Sequence, residues 1–383
     1  MILYNCTIPG WPGRQHVRCN RGIIQAITDN RDVFGTVDDA DRYECNGAKL
    51  LPGFINSHDH LDFNLFPALS TRGYNNYSEW GPDIQAVYAN EINAVKQVPL
   101  PLRIKWGLYK NLLNGFTTVV NHGEKLKIED DLINVFQNCY SLHSLAFEKK
   151  WKWKLNNPFR SNQPVVIHAG EGTDEIAENE ITRLTKANYF DKKIIAVHGV
   201  AMKQSQASSF AGLVWCPSSN FFLLGQTTNV DELNGYTQIV FGTDSTLTSS
   251  WNCWEHFRCA LQTKMVCEKE LLAMLSQTPA LLWDLAQLGE VREGAIADLL
   301  LLPQGDTIFC NDPSDILAVI KQGEFRVADS DLFPKETLPL SFQSSSTQVV
   351  FGDARKSVYG DLANLVSEIK KYYPQYENRF CSI

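Results

Sequence analysis

The sequence lacks the paired motifs by which many enzymes are recognised. Its ten cysteines include no Cys-x-x-Cys pair, and there is no His-Glu-x-x-His, P-loop or Gly-x-Gly-x-x-Gly motif. These absences argue against cysteine-rich zinc clusters, zincin proteases, P-loop nucleotidases and dinucleotide-binding folds. They also argue against the zinc nucleobase deaminases that depend on a Pro-Cys-x-x-Cys segment. A chain of 383 residues needs no disulfide staples, so we expect scattered free thiols.

Long apolar runs and an excess of basic residues are missing too. The longest apolar runs, such as residues 297–303, fall short of a membrane span, and the N-terminus shows no secretory signal. The formal net charge is −8, a sign that repels phosphate backbones. The sequence therefore predicts a cytoplasmic protein with no nucleic-acid or membrane partner. Homo-oligomerisation stays open.

Apolar strand patterns alternate with helical patterns between residues 51 and 289, which predicts an α/β fold. Such alternation is typical of a parallel sheet, most simply a TIM-like (β/α)₈ barrel. Two segments with a 3.6-residue apolar period, 174–187 and 251–263, predict helices, and Thr173 is the expected N-cap of the first. The predicted buried strands are 53–57, 117–121, 164–168, 193–198, 212–216 and 238–242.

The barrel is short of residues in its third and fourth units. Only 45 residues lie between His122 and His168, and two ordinary strand–helix units need more. Segments 132–136 and 140–147 are candidate third and fourth strands with little between them. Alternatively, one unit is abbreviated or lost.

The two ends of the chain share a different pattern of short strands punctuated by glycine. We therefore predict a small β-sandwich domain built from residues 1–50 and 290–383, with the barrel over 51–289. An amphipathic helical pattern over 361–373 predicts a helical C-terminal tail.

Five chemically active side chains sit at or just past the ends of predicted strands: His58, His60, His168, His198 and Asp244. The carboxyl ends of parallel barrel strands converge on one rim, where active sites lie. Imidazoles with one carboxylate are the ligands of catalytic zinc, and Fe(II) or Mn(II) accepts them as well. One histidine alone at a strand end is more often a satisfied polar group, so the prediction depends on their co-occurrence.

Glu171 lies three residues after His168, before the predicted 174–187 helix. A glutamate in that place can take a proton from an attacking water and deliver it to the leaving group. The alternative is a glutamate that lies at a helix N-terminus and has no catalytic role.

These segments together resemble the amidohydrolase superfamily, in the branch of cytosine deaminase, guanine deaminase and the triazine hydrolases. The similarity covers roughly residues 1–325. The motifs that carry it are Leu51-Pro52-Gly53-Phe54-Ile55-Asn56-Ser57-His58-Asp59-His60, Gly115-Phe116-Thr117-Thr118-Val119-Val120, His168-Ala169-Gly170-Glu171, Val197-His198-Gly199, Cys216-Pro217-Ser218-Ser219-Asn220, Gly242-Thr243-Asp244-Ser245 and Gly294-Ala295-Ile296-Ala297-Asp298-Leu299-Leu300.

The resemblance implies a role for each matched residue. His58, His60, His168 and Asp244 would bind one divalent metal, with zinc favoured and iron or manganese as alternatives. Glu171 would move protons, His198 would contact the attacking hydroxide or the intermediate, and Asp244 would help to deprotonate the water. The implied activity is hydrolytic deamination of a small nitrogen heterocycle by a metal-activated hydroxide.

Two other functions stay open: hydrolysis of an amide or another C–N bond, and an inactive barrel that serves as a binding or scaffold protein. The substrate pocket is the least certain part, because the chain is short where the family shapes that pocket. His143, Asn220 and Trp215 are candidate substrate contacts. Core packing is the alternative for Trp215, and a structural role is the alternative for His143.

Overall fold

The computed structural model describes residues 1–35, 42–160, 162–378 and 380–382. The strands in chain order are β1 (Ile2–Cys6), β2 (Gln15–Asn20), β3 (Ile23–Thr28), β4 (Arg42–Glu44), β5 (Lys49–Pro52), β6 (Phe54–Asp59), β7 (Phe116–Asn121), β8 (Asn134–Phe136), β9 (Tyr140–Ser144), β10 (Val165–Ala169), β11 (Ile194–His198), β12 (Gly212–Trp215), β13 (Gln238–Phe241), β14 (Leu299–Leu302), β15 (Ala318–Lys321), β16 (Glu324–Asp329), β17 (Ser346–Phe351), β18 (Ala354–Tyr359) and β19 (Cys381–Ser382).

The α-helices cluster between the strands of the middle region, with two more near the C-terminus. They are α1 (Tyr77–Val87), α2 (Ala89–Lys96), α3 (Leu100–Leu113), α4 (Trp151–Leu155), α5 (Glu175–Lys186), α6 (Gln204–Ala207), α7 (Pro217–Leu224), α8 (Val230–Leu233), α9 (Cys253–Gln262), α10 (Glu268–Leu275), α11 (Gln277–Leu282), α12 (Leu340–Ser344) and α13 (Leu362–Tyr372).

The middle of the chain is a parallel α/β arrangement. Strands β6, β7 and β8 pair in parallel, and β9 to β13 form a five-stranded parallel sheet in chain order. All six strands predicted for this region are confirmed to within two residues at either end. Their side chains are almost entirely buried, which explains why the sequence shows continuous apolar runs in place of alternation.

The candidate third and fourth strands, 132–136 and 140–147, are present as β8 and β9, in one extended run between β7 and β10. Strands β8 and β9 are both present, β8 pairing with β7 and β9 with β10. Only residues 137–139 separate them, far fewer than the dozen or more that a parallel crossover needs. The chain therefore passes from one sheet to the next without a helix between them.

Helix α5 is confirmed, but its predicted N-cap is wrong by one residue. Asp174 caps the helix through its carboxylate, which accepts a hydrogen bond from the Ala177 N–H at 3.0 Å. Thr173 is occupied elsewhere, because its N–H donates to the Asn75 carbonyl at 2.7 Å. A tertiary contact thus overrides the local capping preference.

Both ends of the chain contribute to two antiparallel-rich sheets. Strands β1 to β4 form one sheet, and β5 joins β14 to β19 in a seven-stranded sheet in the order β19-β17-β18-β16-β15-β14-β5. The two sheets share a hydrophobic cluster that includes Leu3, Val17, Leu299 and Phe325. The predicted tail helix is confirmed as α13, but the hairpin β17–β18 before it was not predicted. Among the described residues, no helix is both long enough and apolar enough to cross a membrane.

Candidate functional site

The side chains predicted to bind a metal lie together at the ends of the parallel strands. The Nε2 atom of His58 lies 3.3 Å from Nε2 of His168 and 3.8 Å from Oδ1 of Asp244. The Nε2 atom of His60 is also 3.8 Å from Asp244 Oδ1. In two overlapping groups, His58–His60–His168 and His58–His198–Asp244, all ligand atoms lie within 4.8 Å of one another.

The electrostatics of this cluster suit a divalent cation. Burial lowers the pKa of His58 and of His168 well below the usual histidine value, and neighbouring imidazoles lower it further. Burial alone would raise the pKa of Asp244, but His60 and His198 outweigh it, and that pKa is lowered. Neutral imidazoles beside an ionised carboxylate are the protonation states that metal ligands require. The residues present therefore fit a metal ion of the zinc type.

Hydrogen bonds hold the ring and carboxylate orientations. The Nδ1 atom of His168 lies 2.7 Å from the backbone carbonyl of His143, which leaves Nε2 of His168 facing the cluster as an acceptor. The Oδ2 atom of Asp244 accepts hydrogen bonds from the Ser219 and Thr248 hydroxyls at 2.8 and 2.9 Å. Such outer partners fix the ligand orientation at metal sites.

Two residues of the cluster adopt a backbone conformation that residues other than glycine rarely use. His198 has φ 70° and Asp244 has φ 57°. Non-glycine residues in this left-handed region cost energy, and they occur disproportionately at functional sites. At Asp244 the strained turn is tied to the first strand, because its N–H donates to the His58 carbonyl at 3.0 Å.

Glu171 lies beside the cluster with its carboxylate facing His198. Its Oε1 atom is 3.7 Å from Nε2 of His198, and its side chain is almost fully buried. Burial raises the pKa of Glu171 well above the usual value, and the carboxylates of Asp244 and Glu180 raise it further. Its backbone carbonyl accepts a hydrogen bond from the Tyr77 N–H at 3.1 Å. A carboxyl group of raised pKa in this place is suited to carry a proton.

The segment 61–76, which follows β6, passes across the strand ends. The N–H of Leu69 donates to the Leu247 carbonyl at 3.0 Å, and the N–H of Tyr74 donates to the Leu223 carbonyl at 2.9 Å. The segment is thus attached to the loop after β13 and to helix α7, which follows the neighbouring strand β12.

The three predicted substrate contacts have different surroundings. Asn220 is buried, and its Oδ1 lies 2.8 Å from Nδ1 of His198, so it orients that ring. The His143 ring lies at the exposed rim with its centroid 5.3 Å from that of His168. Trp215 lies in the hydrophobic core, fully buried, where its indole N–H donates to Thr227 at 2.7 Å. Its apolar strand, β12, carries it inward, which fits the core-packing alternative.

The structure adds two residues to the surroundings of the cluster. His122, at the end of β7, packs its ring 4.4 Å from the His168 ring and 5.1 Å from the His58 ring. Its strand-end position was the available signal. Lys110 on α3 reaches the underside of the cluster and is completely buried beside Asp59. No sequence signal marked that lysine, because lysines on helices usually face solvent.

Comparison with known proteins places this site in a family context. Residues 152–326 match the model described as "Amidohydrolase family". The matched residues include His168, Glu171, His198 and Asp244, whereas His58 and His60 precede them.

One curated relative and several solved structures are similar to this chain. A 5-methylthioadenosine/S-adenosylhomocysteine deaminase of Caldicellulosiruptor saccharolyticus is 25% identical over 236 residues, which cover 53% of this chain and 54% of the relative. The chain thus spans about half the length of this curated relative.

An adenosine deaminase from Xanthomonas campestris with bound zinc superposes with a TM-score of 0.72 at 14% identity, covering 98% of both chains. Atrazine chlorohydrolase from Arthrobacter aurescens TC1 gives 0.69 at 14% identity over 97% of this chain and 100% of the other. Guanine deaminase from C. acetobutylicum gives 0.63 at 12% identity over 85% and 99%. These likenesses show a TIM-barrel-like α/β fold.

Proposed function

We propose that the protein is a metal-dependent hydrolytic deaminase that acts on a small nitrogen heterocycle. The observation that carries this proposal is the buried cluster of three imidazoles and one carboxylate with Glu171 beside it. His58, His60, His168 and Asp244 would hold one divalent ion. That ion, when bound, supplies a Lewis acid that makes hydroxide available from water near neutral pH.

The chain's own residues supply the remaining steps. Glu171, with its raised pKa, takes the proton of the attacking water and delivers it to the departing amino group. His198, oriented by a hydrogen bond from its Nδ1–H to Asn220 Oδ1, presents its Nε2 atom 3.7 Å from the Glu171 carboxylate and is the hydrogen-bond partner of the attacking hydroxide or the intermediate. Asp244 assists the first proton transfer. The reaction breaks the C–N bond and releases ammonia.

Relatives support this choice of reaction. The curated relative is named a deaminase, and the solved structures named above include an adenosine deaminase and a guanine deaminase. One of these structures contains zinc, and so does that of the chlorohydrolase, which favours zinc here over iron or manganese. Zinc also prefers imidazole with a carboxylate, and one ion accounts for the four clustered ligands.

The architecture and setting follow as further proposals. We place a (β/α)₈-type barrel at residues 51–289, abbreviated at β8 and β9. A small β-sandwich domain would combine residues 1–50 and 290–383, as the antiparallel pairing of β5 with β14 and the shared hydrophobic cluster support. The ten free cysteines favour a reducing cytoplasm.

An ammonia-release screen tests the proposed reaction. Purified protein loaded with zinc, iron or manganese would be incubated with purines, pyrimidines, pterins and triazines. Ammonia release from at least one compound, lost on chelation and restored by metal, is expected. Silence across the panel would contradict deamination, and hydrolysis of cyclic or acyclic amides would then support the amide-hydrolase alternative. Failure to load any of the three metals would favour a scaffold protein.

A further inference from the structure

We propose that Lys110 is a positioning residue that joins the first and last strands of the parallel set and thereby fixes the metal ligands on both. This inference rests on the metal site proposed above. Lys110 lies on α3 and touches none of the proposed ligand side chains. It acts through the backbone of Asp244 and through Asp59, the residue between His58 and His60.

All three ammonium protons of Lys110 have an acceptor at hydrogen-bond distance. Its Nζ atom lies 3.1 Å from Asp59 Oδ2, 2.9 Å from Thr243 Oγ1 and 3.0 Å from the Asp244 carbonyl oxygen. The side chains of Lys110 and Asp59 are both 0% exposed.

Asp59 is locked on the face opposite the two ligands. Successive side chains of a strand point to opposite faces, so Asp59 faces away from the cluster that His58 and His60 face. Its Oδ1 accepts a hydrogen bond from Asn64 at 2.8 Å, and its Oδ2 accepts one from Asn111 at 2.7 Å. With Lys110 added, the carboxylate is fully engaged, which fixes the backbone that presents both imidazoles.

The junction between β6 and β13 depends on such side-chain bonds. Within the described residues, no strand ladder joins β6 to β13. Backbone contact there consists of the Thr243 and Asp244 N–H groups, which both donate to the His58 carbonyl at 3.1 and 3.0 Å. Lys110 spans the same junction from below. It therefore holds His58 and Asp244, whose ligand atoms are 3.8 Å apart, in one frame.

A contribution to the stability of the protein does not by itself explain the buried Lys110–Asp59 ion pair. A buried ion pair often stabilises a protein no more than apolar side chains of similar size would. The lysine donates to the carbonyl of a ligand that sits in a strained left-handed turn, so its effect should be on ligand geometry. The chain offers a matched comparison in Lys356 and Asp329, a buried pair on β18 and β16 of the seven-stranded sheet. Lys356 donates to Asp329 at 2.8 Å and to the Ile316 carbonyl at 2.7 Å.

The test compares two charge-neutral double variants, Lys110→Met with Asp59→Asn and Lys356→Met with Asp329→Asn. Neutralising both partners avoids leaving one charge buried alone, so each variant is expected to fold. Zinc affinity would be measured by competition with a chromogenic chelator, thermal stability by the melting temperature of the metal-free protein, and ligand geometry by the visible absorption of the cobalt(II) form.

We expect the Lys110/Asp59 variant to bind zinc about 10- to 100-fold more weakly, the usual cost of losing an outer partner, and to shift its cobalt spectrum. The Lys356/Asp329 variant should keep the wild-type affinity and spectrum even if its melting temperature falls. Unchanged zinc affinity and cobalt spectrum in the Lys110/Asp59 variant would overturn the inference while leaving the proposed function intact. Absence of zinc, iron and manganese binding by the wild-type protein would overturn both.

Discussion

The two sides of the candidate site are built in different ways. On one side, β10 to β13 stand in chain order, and the residues at or just beyond their ends include His168, His198 and Asp244. On the other side, residues 134–144 form one extended run with no helix; the ring of His143 in that run and the ring of His122, just past β7, both pack against the His168 ring. The regular side carries His168, His198 and Asp244, His58 and His60 lie at the end of β6, and the abbreviated side carries the exposed ring of His143.

This difference suggests a division of labour. Each strand end of the regular side is held by outer hydrogen bonds, such as those from Ser219 and Thr248 to Asp244. The abbreviated side orients His168 through a backbone atom, the carbonyl oxygen of His143. The imidazole ring of His143 itself is exposed. We therefore expect substitutions on the regular side to affect metal binding and turnover, and substitutions on the abbreviated side to affect substrate choice.

The largest expected effect is that of His168→Ala. Removing an imidazole from the centre of the cluster takes away one of the four proposed ligands, so the protein should no longer retain stoichiometric zinc. Metal content after dialysis, measured by inductively coupled plasma mass spectrometry, checks this. His256→Ala, a buried histidine on α9 outside the cluster, is the control. Equal zinc content in both variants would contradict the ligand assignment.

The next effect concerns Glu171→Gln. The amide keeps the shape of the side chain but cannot carry the proton, so turnover should fall by about 10²- to 10⁴-fold while zinc remains bound. Steady-state kcat together with metal content measures both. Near-normal turnover in this variant would show that another group moves the proton.

A third prediction separates core from pocket on the regular side. Trp215→Ala should lower the free energy of unfolding by about 3–5 kcal/mol, because it removes a fully buried indole. Trp153→Ala, at a tryptophan that is 68% exposed, should change it by less than about 0.5 kcal/mol. Urea denaturation measures both. A Trp215→Ala protein of unchanged stability but altered KM would show that Trp215 contacts the substrate.

The smallest expected effect on the metal is that of His143→Ala. The substitution keeps the backbone carbonyl that contacts His168. Zinc affinity should therefore fall by much less than the roughly 10- to 100-fold that the loss of an outer partner causes. If the exposed ring reaches the substrate, KM should rise more than kcat falls. A large loss of zinc affinity would contradict the division between the two sides.

The sequence was informative where burial and chemistry coincide. Continuous apolar runs marked the strands, and titratable side chains at or just past the ends of several runs marked the rim, so the sequence predicted that His58, His168 and Asp244 lie there. Geometry that depends on distant partners could not be read in this way. The sequence around Trp215, for example, is compatible with a pocket wall as well as with a hydrophobic core.

Lys110 shows the same limit more sharply. A lysine in a helix is usually solvated, and only the folded chain reveals that α3 carries it beneath the junction of β6 and β13. The 45 residues between His122 and His168 were compatible with two closely spaced strands and with an abbreviated or lost unit. Their number alone did not show how the chain crosses between the sheets. Local pattern therefore predicted the proposed ligands, and only the tertiary contacts show which groups position them.

Anomalous scattering from zinc-soaked crystals tests the central claim most directly. Data collected on either side of the zinc absorption edge should show one strong peak per chain, about 2.0–2.2 Å from His58, His60, His168 and Asp244, with Glu171 close by but not coordinating. A peak elsewhere, a second peak of equal strength in the cluster, or no peak there would contradict a single metal ion held by these four residues.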